Sequence, residues 1–387
     1  MARRVYLDWN ATAPLRQQAR DAMAAASELY GNPSSVHAEG REARRLVEDA
    51  RGTIAAATGV DLRDVIFTSG GTEANALALS PGLRRGSGLP AERLVVSAIE
   101  HASVLAGGHY RADQIESLGV TRSGLVDLDH LSELLAAGPA LVSIMLANNE
   151  TGAIQPVKES ADIVHGAGGL LHVDAVQAFG KIPCNINLLM ADLISVSAHK
   201  LGGPKGVGAL VFAAGLSGLG AQLRGGGQEQ GRRAGTENVP GILGFAAAAK
   251  AAMLTLEEDR NRVEQLRHRL ETGLRKTRNL QVFSENAPRL PNTTLFSAPG
   301  LKAETAVIGF DLEGIAVSSG SACSSGKVQP SHVLQAMGFG PELARGAVRL
   351  SLGWTTGEED IDRAVKAWRK LSGALLKHSD ETVLERF

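Results

Sequence analysis

Six short, almost entirely apolar runs recur along the chain and constrain its fold more than any other feature. The segments between many of them carry apolar residues at helical spacing; residues 39–59, for example, place Leu46, Val47, Ala50 and Ile54 on one face. Continuous apolar strands that alternate with helices are typical of a mostly parallel sheet covered by helices on both faces. We therefore predict an α/β fold. The six runs are VIFTS (65–69), RLVVSAI (93–99), LVSIMLA (141–147), LLHVDA (170–175), LISVSA (193–198) and VGALVFA (207–213).

The sequence pattern changes after about residue 240. Residues 241–276 form one long helix-like stretch, or two abutting ones, and shorter α+β elements follow. A stripe of apolar residues marks the second half of the stretch: Leu256, Val263, Leu266, Leu270 and Leu274. We predict a large domain over residues 14–255, and a small domain made of residues 1–13 and 256–387 that carries a cysteine loop at about 318–330.

Charge and cysteine content exclude several classes of protein. Forty basic and 41 acidic residues leave a net charge of −1, so neither nucleic acid nor an acidic membrane is an expected partner. No run approaches the roughly 18 apolar residues of a membrane span, and the sequence predicts a cytoplasmic protein. Two cysteines cannot supply a four-thiolate metal site. We expect no intrinsic metal.

Polar residues follow five of the six runs at the point where each strand should end. Ligands of open α/β sheets bind beyond the carboxyl ends of the strands, so this recurrence predicts a binding site there. The residues concerned are Gly70, Gly71 and Thr72 after the first run, Glu100 and His101 after the second, Asn148, Asn149 and Glu150 after the third, Asp174 and Gln177 at the fourth, and Ser197, His199 and Lys200 at the fifth.

The segment SGGTEAN (69–75) has the features of a phosphate cradle. Two glycines lie between a strand and a helix amino terminus, whose free N–H groups and dipole favour an anion. An ordinary strand-to-helix turn is the alternative. Because the segment matches neither GxxxxGK[ST] nor GxGxxG, a phosphate-bearing cofactor other than a nucleotide is favoured.

Asp174 and Lys200 are charged residues at the ends of buried strands, and each has two interpretations. A buried carboxylate at Asp174 requires a partner. That partner is either a structural cation or the pyridine nitrogen of pyridoxal phosphate, which such a carboxylate keeps protonated. Lys200 is either a solvated surface lysine or the amine that forms a Schiff base with the cofactor.

Four further residues have a structural and a functional interpretation. His101 and His199 are either satisfied histidines or, beside a cofactor, groups that stack on it or move protons. Arg349 lies in an apolar strand-like run and needs an anion, either an internal acid or a substrate carboxylate. Cys323, in the polar run SSGSACSSGKVQP, is favoured as an accessible thiol, whereas Cys184 is interpreted as structural.

A set of motifs, in order from residue 6 to about 356, resembles the cysteine desulfurases of the NifS/IscS type. The resemblance implies the aspartate-aminotransferase-like fold (fold type I of pyridoxal-phosphate enzymes), with a mostly parallel seven-stranded sheet, and a homodimer. The motifs are YLDWNATAPL, GNPSSVH, FTSGGTEANALAL, EHASV, ANNETGAIQPV, HVDAVQAFGK, SVSAHKLGGPKGVGAL, RRAGTENVPGILG and SSGSACSSGKVQPSHVLQAMG.

The resemblance also implies residues that bind pyridoxal 5'-phosphate. They are Gly71, Thr72, Ser197 and His199 at the phosphate, Thr236 as the phosphate ligand from the other subunit, Asp174 at the pyridine nitrogen, Gln177 at the ring hydroxyl, His101 stacked on the ring, Asn149 at cofactor and substrate, and Lys200 as the Schiff-base lysine.

The implied reaction removes sulfur from L-cysteine and leaves L-alanine. Arg349 would bind the substrate carboxylate, His101 and Lys200 would move protons, and Cys323 would receive the sulfur as a persulfide. A sulfur-acceptor protein, such as an iron–sulfur scaffold with which Cys323 shares a cluster, is the implied partner. We expect it to dock near the Cys323 loop and the tail KHSDETVLERF (377–387).

Two rival interpretations remain open at this point. One is a selenocysteine lyase or another class V aminotransferase-like enzyme, and the other is a sulfur-relay or scaffold protein without turnover. The sequence departs from the family pattern in DWNATAP, where many relatives have DxxATTP; we expect the change to matter little.

Overall fold

A computed structural model describes residues 4–320 and 329–376, so the predicted Cys323 and the tail at 377–387 lie outside the described residues. The strands are β1 (Val5–Tyr6), β2 (Val65–Thr68), β3 (Arg84–Arg85), β4 (Leu94–Ser97), β5 (Ile115–Leu118), β6 (Leu141–Met145), β7 (Leu170–Asp174), β8 (Leu193–Ser197), β9 (Gly208–Phe212), β10 (Leu216–Ser217), β11 (Gln281–Val282), β12 (Thr293–Ser297), β13 (Ile315–Ala316), β14 (Ser318–Ser319) and β15 (Val348–Ser351).

The helices alternate with these strands over most of the chain. They are α1 (Gln17–Ser27), α2 (Ala38–Thr58), α3 (Gly71–Ala78), α4 (Ala102–Leu105), α5 (Leu128–Leu135), α6 (Val157–Gly166), α7 (Ile186–Leu189), α8 (Val239–Leu254), α9 (Leu256–Leu274), α10 (Ala303–Leu312), α11 (His332–Ala336), α12 (Pro341–Gly346) and α13 (Glu358–Leu375).

The central sheet has seven strands in the order β2-β9-β8-β7-β6-β4-β5. Strands β5, β4, β6, β7 and β8 pair in parallel, and β9 runs antiparallel to both β8 and β2. The predicted α/β fold with a mostly parallel sheet is confirmed. Since β9 lies between β2 and β8 and runs antiparallel to both, β2 and β8 point the same way. The carboxyl ends of β2, β4, β6, β7 and β8 therefore meet at one edge.

All six apolar runs form strands, but the sequence did not reveal β5. This edge strand has the sequence IESL and is only partly buried. Its glutamate and serine interrupt the apolar pattern from which the other strands were predicted, because an edge strand needs apolar cover over less of its surface.

Helices cover both faces of the sheet because successive strand residues point to opposite sides. On one face, Val65 and Phe67 of β2 share a core with α2 and α8. On the other face, Ile66 packs with α3. The predicted apolar face of residues 39–59 is present in α2, where Val47, Ala50 and Ile54 are buried; the helix ends at Gly59, whose φ of 81° is left-handed.

A second, antiparallel sheet in the order β11-β12-β15-β14 lies in the carboxyl-terminal part. The chain's amino terminus reaches this part, since β1 pairs with β13 and Asp8 forms a bridge with Ser351. The division into domains at residue 255 remains a prediction.

The helix-like stretch after residue 240 is two helices, α8 and α9, bent by 72° at their junction. Within the described ranges no single helix has the length and apolarity to cross a membrane, and this bent pair meets those criteria only when taken together.

The carboxyl-terminal core is built around Trp368 of α13. Its buried ring contacts Phe296 edge-on, with centroids 4.8 Å apart, and stacks on Phe310 at 6.2 Å. The indole Nε1 donates to Thr277 Oγ1 over 2.9 Å. One residue thus joins α13, β12 and α10.

Trp368→Ala should lower the free energy of unfolding by about 3–5 kcal/mol, because it leaves a large cavity among aromatic rings. Urea denaturation followed by circular dichroism measures the effect. Leu312→Ala, at a side chain that is 81% exposed on α10, is the control and should change the value by less than about 0.5 kcal/mol. Equal effects of the two substitutions would contradict the assigned core.

Candidate active site

A cavity of about 300 Å³ opens at the edge where the five strand ends meet. It brings together ten of the residues that the sequence singled out, contributed by the segments after β2, β4, β6, β7 and β8 and by β15. They are Gly71, Thr72, His101, Asn149, Asp174, Gln177, Ser197, His199, Lys200 and Arg349. Thr236 does not line this cavity and is exposed. Cys323 lies outside the described residues.

Asp174 ends β7, the middle strand of the sheet, and is 5% exposed. Its Oδ1 accepts from the Val176 N–H over 2.9 Å and its Oδ2 from Asn75 Nδ2 over 2.7 Å. Burial raises the pKa of Asp174, and these two donors oppose that rise. The carboxylate is thus held by neutral donors, and a cationic group in the cavity would stabilise its charged form.

His101 lies at the start of α4, where its ring accepts a helix-capping hydrogen bond. The Ser103 N–H donates to Nδ1 over 3.2 Å, so the neutral ring carries its proton on Nε2. Asn75 Nδ2 also donates to Ser103 Oγ, which links His101 to Asp174 through one amide. Burial is the main cause that lowers the pKa of His101.

Lys200 lies in the short 3₁₀ turn that follows β8. Its amine donates to the backbone carbonyl oxygens of Asn10, over 2.6 Å, and Ala11, over 3.0 Å. The amino-terminal segment therefore holds the amine at the edge of the cavity. This contact could not be predicted from local sequence patterns, because Asn10 and Lys200 are 190 positions apart.

The end of the cavity near α3 has the features of an anion site. Gly70 has φ 153° and ψ −177°, a conformation that is nearly restricted to glycine. A Cβ on Gly71 would lie 2.7 Å from Val176 Cγ2, so only glycine fits there. The N–H groups of the first turn of α3 lack intrahelical partners, and the buried Ser197 Oγ has no hydrogen-bond partner among the described residues.

His199 lies beside this cradle and contacts the amino-terminal segment. Burial lowers the pKa of His199 to about 4, so the ring is neutral near pH 7 and presents one donor and one acceptor. Nδ1 lies 3.2 Å from Thr12 Oγ1. Ala13, the position where the sequence departs from the family pattern, contacts His199 through its backbone, since its N–H donates to the His199 carbonyl over 2.9 Å.

Arg349 projects from β15 into the opposite end of the cavity and is 2% exposed. Its Nη2 donates to Asp8 Oδ1 over 2.8 Å and its Nη1 to the Asn149 carbonyl over 3.0 Å. The buried Nε has no hydrogen-bond partner among the described residues. Asp8 and the Asn149 carbonyl thus orient the guanidinium, which retains N–H groups that can donate to a ligand carboxylate.

Two buried carboxyl groups lie beneath the cavity. Glu100 Oε1 accepts from the Met145 N–H over 2.6 Å, and burial raises its pKa well above the ordinary value. Glu150 Oε2 accepts from Ser331 Oγ over 2.5 Å, and burial raises the pKa of Glu150 to about 7. Both groups are therefore less negative near neutral pH than exposed glutamates.

Asn10, Asn75 and Ser103 also line the cavity and were not singled out from the sequence. Asn10 is 1% exposed and lies within the motif DWNATAP. The available signal in the sequence was a polar asparagine directly after Trp9. Asn75 lies one helical turn after the glycines of α3, where its spacing is that of an ordinary helix residue.

The family model for class-V aminotransferases matches residues 5–364. The chain belongs to this family. The resemblance seen in the motifs is also confirmed by relatives named for the same activity. A cysteine desulfurase IscS of Dictyoglomus turgidum is 41% identical over 94% of this chain and 93% of its own length. A cysteine desulfurase of Gluconacetobacter diazotrophicus is 42% identical over 93% of this chain and 91% of its own.

Solved structures give the same result for the fold. A NifS-like protein from Rickettsia africae superposes with a TM-score of 0.86 at 37% identity, covering 96% of this chain and 99% of that one. SspA in complex with cysteine superposes with a TM-score of 0.74 at 28% identity, covering 90% of this chain and 99% of that one.

Glu150→Gln should stabilise the protein more at pH 8 than at pH 5. An unfolded glutamate titrates near 4.3 and the folded group near 7, so the folded state is penalised increasingly as pH rises between these values and is not penalised below them. The gain in unfolding free energy over wild type should be roughly 2 kcal/mol larger at pH 8. Urea titrations at both pH values measure it.

Glu133→Gln, at an exposed residue of α5, is the matched control. Its unfolding free energy should differ from that of wild type by the same amount at both pH values. A pH-independent difference for Glu150→Gln would contradict the raised pKa.

Proposed function

We propose that this protein is a pyridoxal-phosphate-dependent cysteine desulfurase. The observation that carries the proposal is the arrangement of one cavity. It places a lysine amine, a buried carboxylate and an arginine between a helix amino terminus at one end and β15 at the other. The class-V aminotransferases and cysteine desulfurases related to this chain are in general pyridoxal-phosphate enzymes.

The residues present fit this cofactor. The α3 amino terminus, with Gly71, Thr72 and Ser197, would bind the phosphate, and the Ser197 hydroxyl, which has no partner within the described part of the chain, is a ready donor. Asp174 would pair with the pyridine nitrogen, which matches a buried carboxylate held by the neutral donors of Asn75 and Val176. Lys200 would hold the cofactor covalently. When bound, the cofactor supplies an electron sink for bonds broken at the substrate.

The substrate we propose is L-cysteine. SspA, one of the structural neighbours, is described in complex with cysteine. In this chain Arg349, oriented by Asp8 and the Asn149 carbonyl, would bind the substrate carboxylate. Lys200 and Arg349 line the same cavity, so one substrate molecule could contact both.

Lys200 and His101 would move protons. The Lys200 amine, which is held on two backbone carbonyls, would take the substrate Cα proton. His101 has its Nδ1 engaged by a backbone N–H, so Nε2 is the atom that would give or take a proton on the cavity side.

Cys323 would receive the sulfur. Upstream, Ser318 of β14 pairs with Arg349 of β15; downstream, Ser331 Oγ bonds Glu150 and His332 Nε2 lies 3.1 Å from the Glu100 carbonyl. The residues that flank the 321–328 segment are thus attached to elements that carry the cavity.

The thiolate of Cys323 would attack the substrate sulfur while the substrate C–S bond breaks. The balance is L-cysteine plus the Cys323 thiol giving L-alanine plus a Cys323 persulfide. The bond electrons pass to the substrate carbon, which is then protonated. A thiol reductant or an acceptor protein, such as an iron–sulfur scaffold, would take the sulfur.

We also propose a homodimer. Thr236 is exposed and does not line the cavity of its own chain, and an ion pair of 3.0 Å between Arg233 and Glu73 attaches the same segment to α3, whose amino terminus lines the cavity. A second copy could therefore present Thr236 to this cavity, in keeping with the family pattern.

Purified protein supplied with pyridoxal phosphate, L-cysteine and dithiothreitol should release alanine and sulfide in equal amounts. Lys200→Ala should lower the rate by about 10²–10⁴-fold, because it removes the base. It should also abolish retention of the cofactor after borohydride reduction. Lys158→Ala, at an exposed lysine on α6, is the control. Retention of reduced cofactor in Lys200→Ala would contradict the assignment.

Cys323→Ser should stop sulfide release and persulfide formation and leave borohydride-fixed cofactor unchanged, because a hydroxyl cannot accept sulfane sulfur. Persulfide labelling followed by mass spectrometry is the measurement. Cys184→Ser, at the other cysteine, is the comparison for the labelling. A persulfide on the Cys323→Ser protein would refute the role of Cys323.

A further inference from the structure

A second lysine lies behind the candidate active site without lining its cavity. Lys181 follows Gly180, whose φ of 81° turns the chain after β7. Its amine donates to Gln177 Oε1 over 3.0 Å and to Asn10 Oδ1 over 3.1 Å. No acidic side chain within residues 4–320 and 329–376 forms an ion pair with Lys181. Burial lowers its pKa well below the ordinary value, and nearby Lys200 and Arg349 lower it further.

The amine determines which way the Gln177 carboxamide points. Because the Lys181 amine donates to Gln177 Oε1, it favours the amide orientation that turns the oxygen towards it: an amide oxygen accepts, whereas an amide N–H₂ only donates. Among the described residues Lys181 is the donor to Gln177 Oε1. Gln177 Nε2 must therefore face the other way, where it donates to the Asn10 carbonyl over 2.9 Å.

That carbonyl is also the acceptor for the Lys200 amine, over 2.6 Å. The amide nitrogen of Gln177 and the amine of Lys200 are thus held on one oxygen atom, and both residues line the cavity. The side chain of Asn10 depends less on Lys181 for its orientation, because Asn292 Nδ2 also donates to Asn10 Oδ1, over 3.0 Å. The effect of Lys181 is therefore concentrated on Gln177.

We propose that Lys181 is a positioning residue of this site, which fixes the Gln177 carboxamide so that its nitrogen is the donor presented beside Lys200. The inference rests on the proposed function, in which Gln177 donates to an oxygen on the cofactor ring. Lys181 contacts neither cofactor nor substrate and acts through Gln177.

The first test is the affinity of Lys181→Met for pyridoxal phosphate, measured by absorbance titration. Methionine keeps the length of the side chain and removes its donors, so the Gln177 amide can flip. We expect about tenfold weaker binding and a shift of the absorbance maximum of the bound cofactor. Lys181→Ala, which removes the same donors and introduces no thioether, should weaken binding and shift the absorbance maximum as Lys181→Met does. Lys158→Met, at an exposed lysine, should match wild type. Unchanged affinity and spectrum in both Lys181 variants would overturn the proposal.

A double-mutant cycle with Gln177→Ala separates positioning from a general structural effect. If Lys181 acts through Gln177, then Lys181→Met should add no further loss of affinity and no further spectral shift to Gln177→Ala. If the double variant instead loses affinity by the product of the two single losses, the proposal is overturned, even where each single variant binds more weakly than wild type. Failure of the proposed function is a different result, because wild-type protein would then neither bind pyridoxal phosphate nor release alanine.

Discussion

A buried carboxylate at the end of the central strand determines how the rest of the site is arranged. Asp174 lies at the middle of a seven-stranded sheet, where desolvation disfavours its charge. The fold compensates with the Val176 N–H and the Asn75 amide. Asn75 belongs to α3, so the helix whose amino terminus forms the anion cradle is tied to the same carboxylate. The hydrogen bond between Asn75 and Asp174 thus holds the anion cradle at a fixed distance from the buried carboxylate.

The amino-terminal segment connects this sheet to the carboxyl-terminal part. Asn10 provides a carbonyl for Lys200 and Gln177, while its own amide donates to Thr293 Oγ1 over 2.9 Å and to the Asn149 carbonyl over 3.2 Å. Asp8, two residues earlier, holds Arg349. A displacement of the carboxyl-terminal part would therefore be transmitted to both the lysine and the arginine through Asp8 and Asn10 of one short segment.

The sequence predicted the sheet and most of the cavity because both follow from local patterns. Buried strands read as apolar runs, and parallel strands bring their ends to one edge, so polar residues at those ends had to converge. The pattern failed for β5, where an edge position tolerates polar residues. It also failed for Asn10 and Asn75. Their roles come from contacts between segments brought together by the fold, such as the 99 positions between Asn75 and Asp174. The specific roles of the site residues rest on the family resemblance, whereas the domain boundary was predicted from the change of sequence pattern after about residue 240.

The charge balance of the site explains why its acidic residues do not cancel its cationic ones. Burial raises the pKa values of Glu100 and Glu150, so neither offers a full negative charge beneath the cavity near neutral pH. The Arg349 guanidinium pairs with Asp8, whose side chain is itself partly exposed. Anionic groups are therefore favoured at the α3 cradle and at Arg349, and among the described residues that line the cavity Asp174 is the acidic one. A ligand with a phosphate at one end, a carboxylate at the other and a cationic ring nitrogen between matches that distribution of charge.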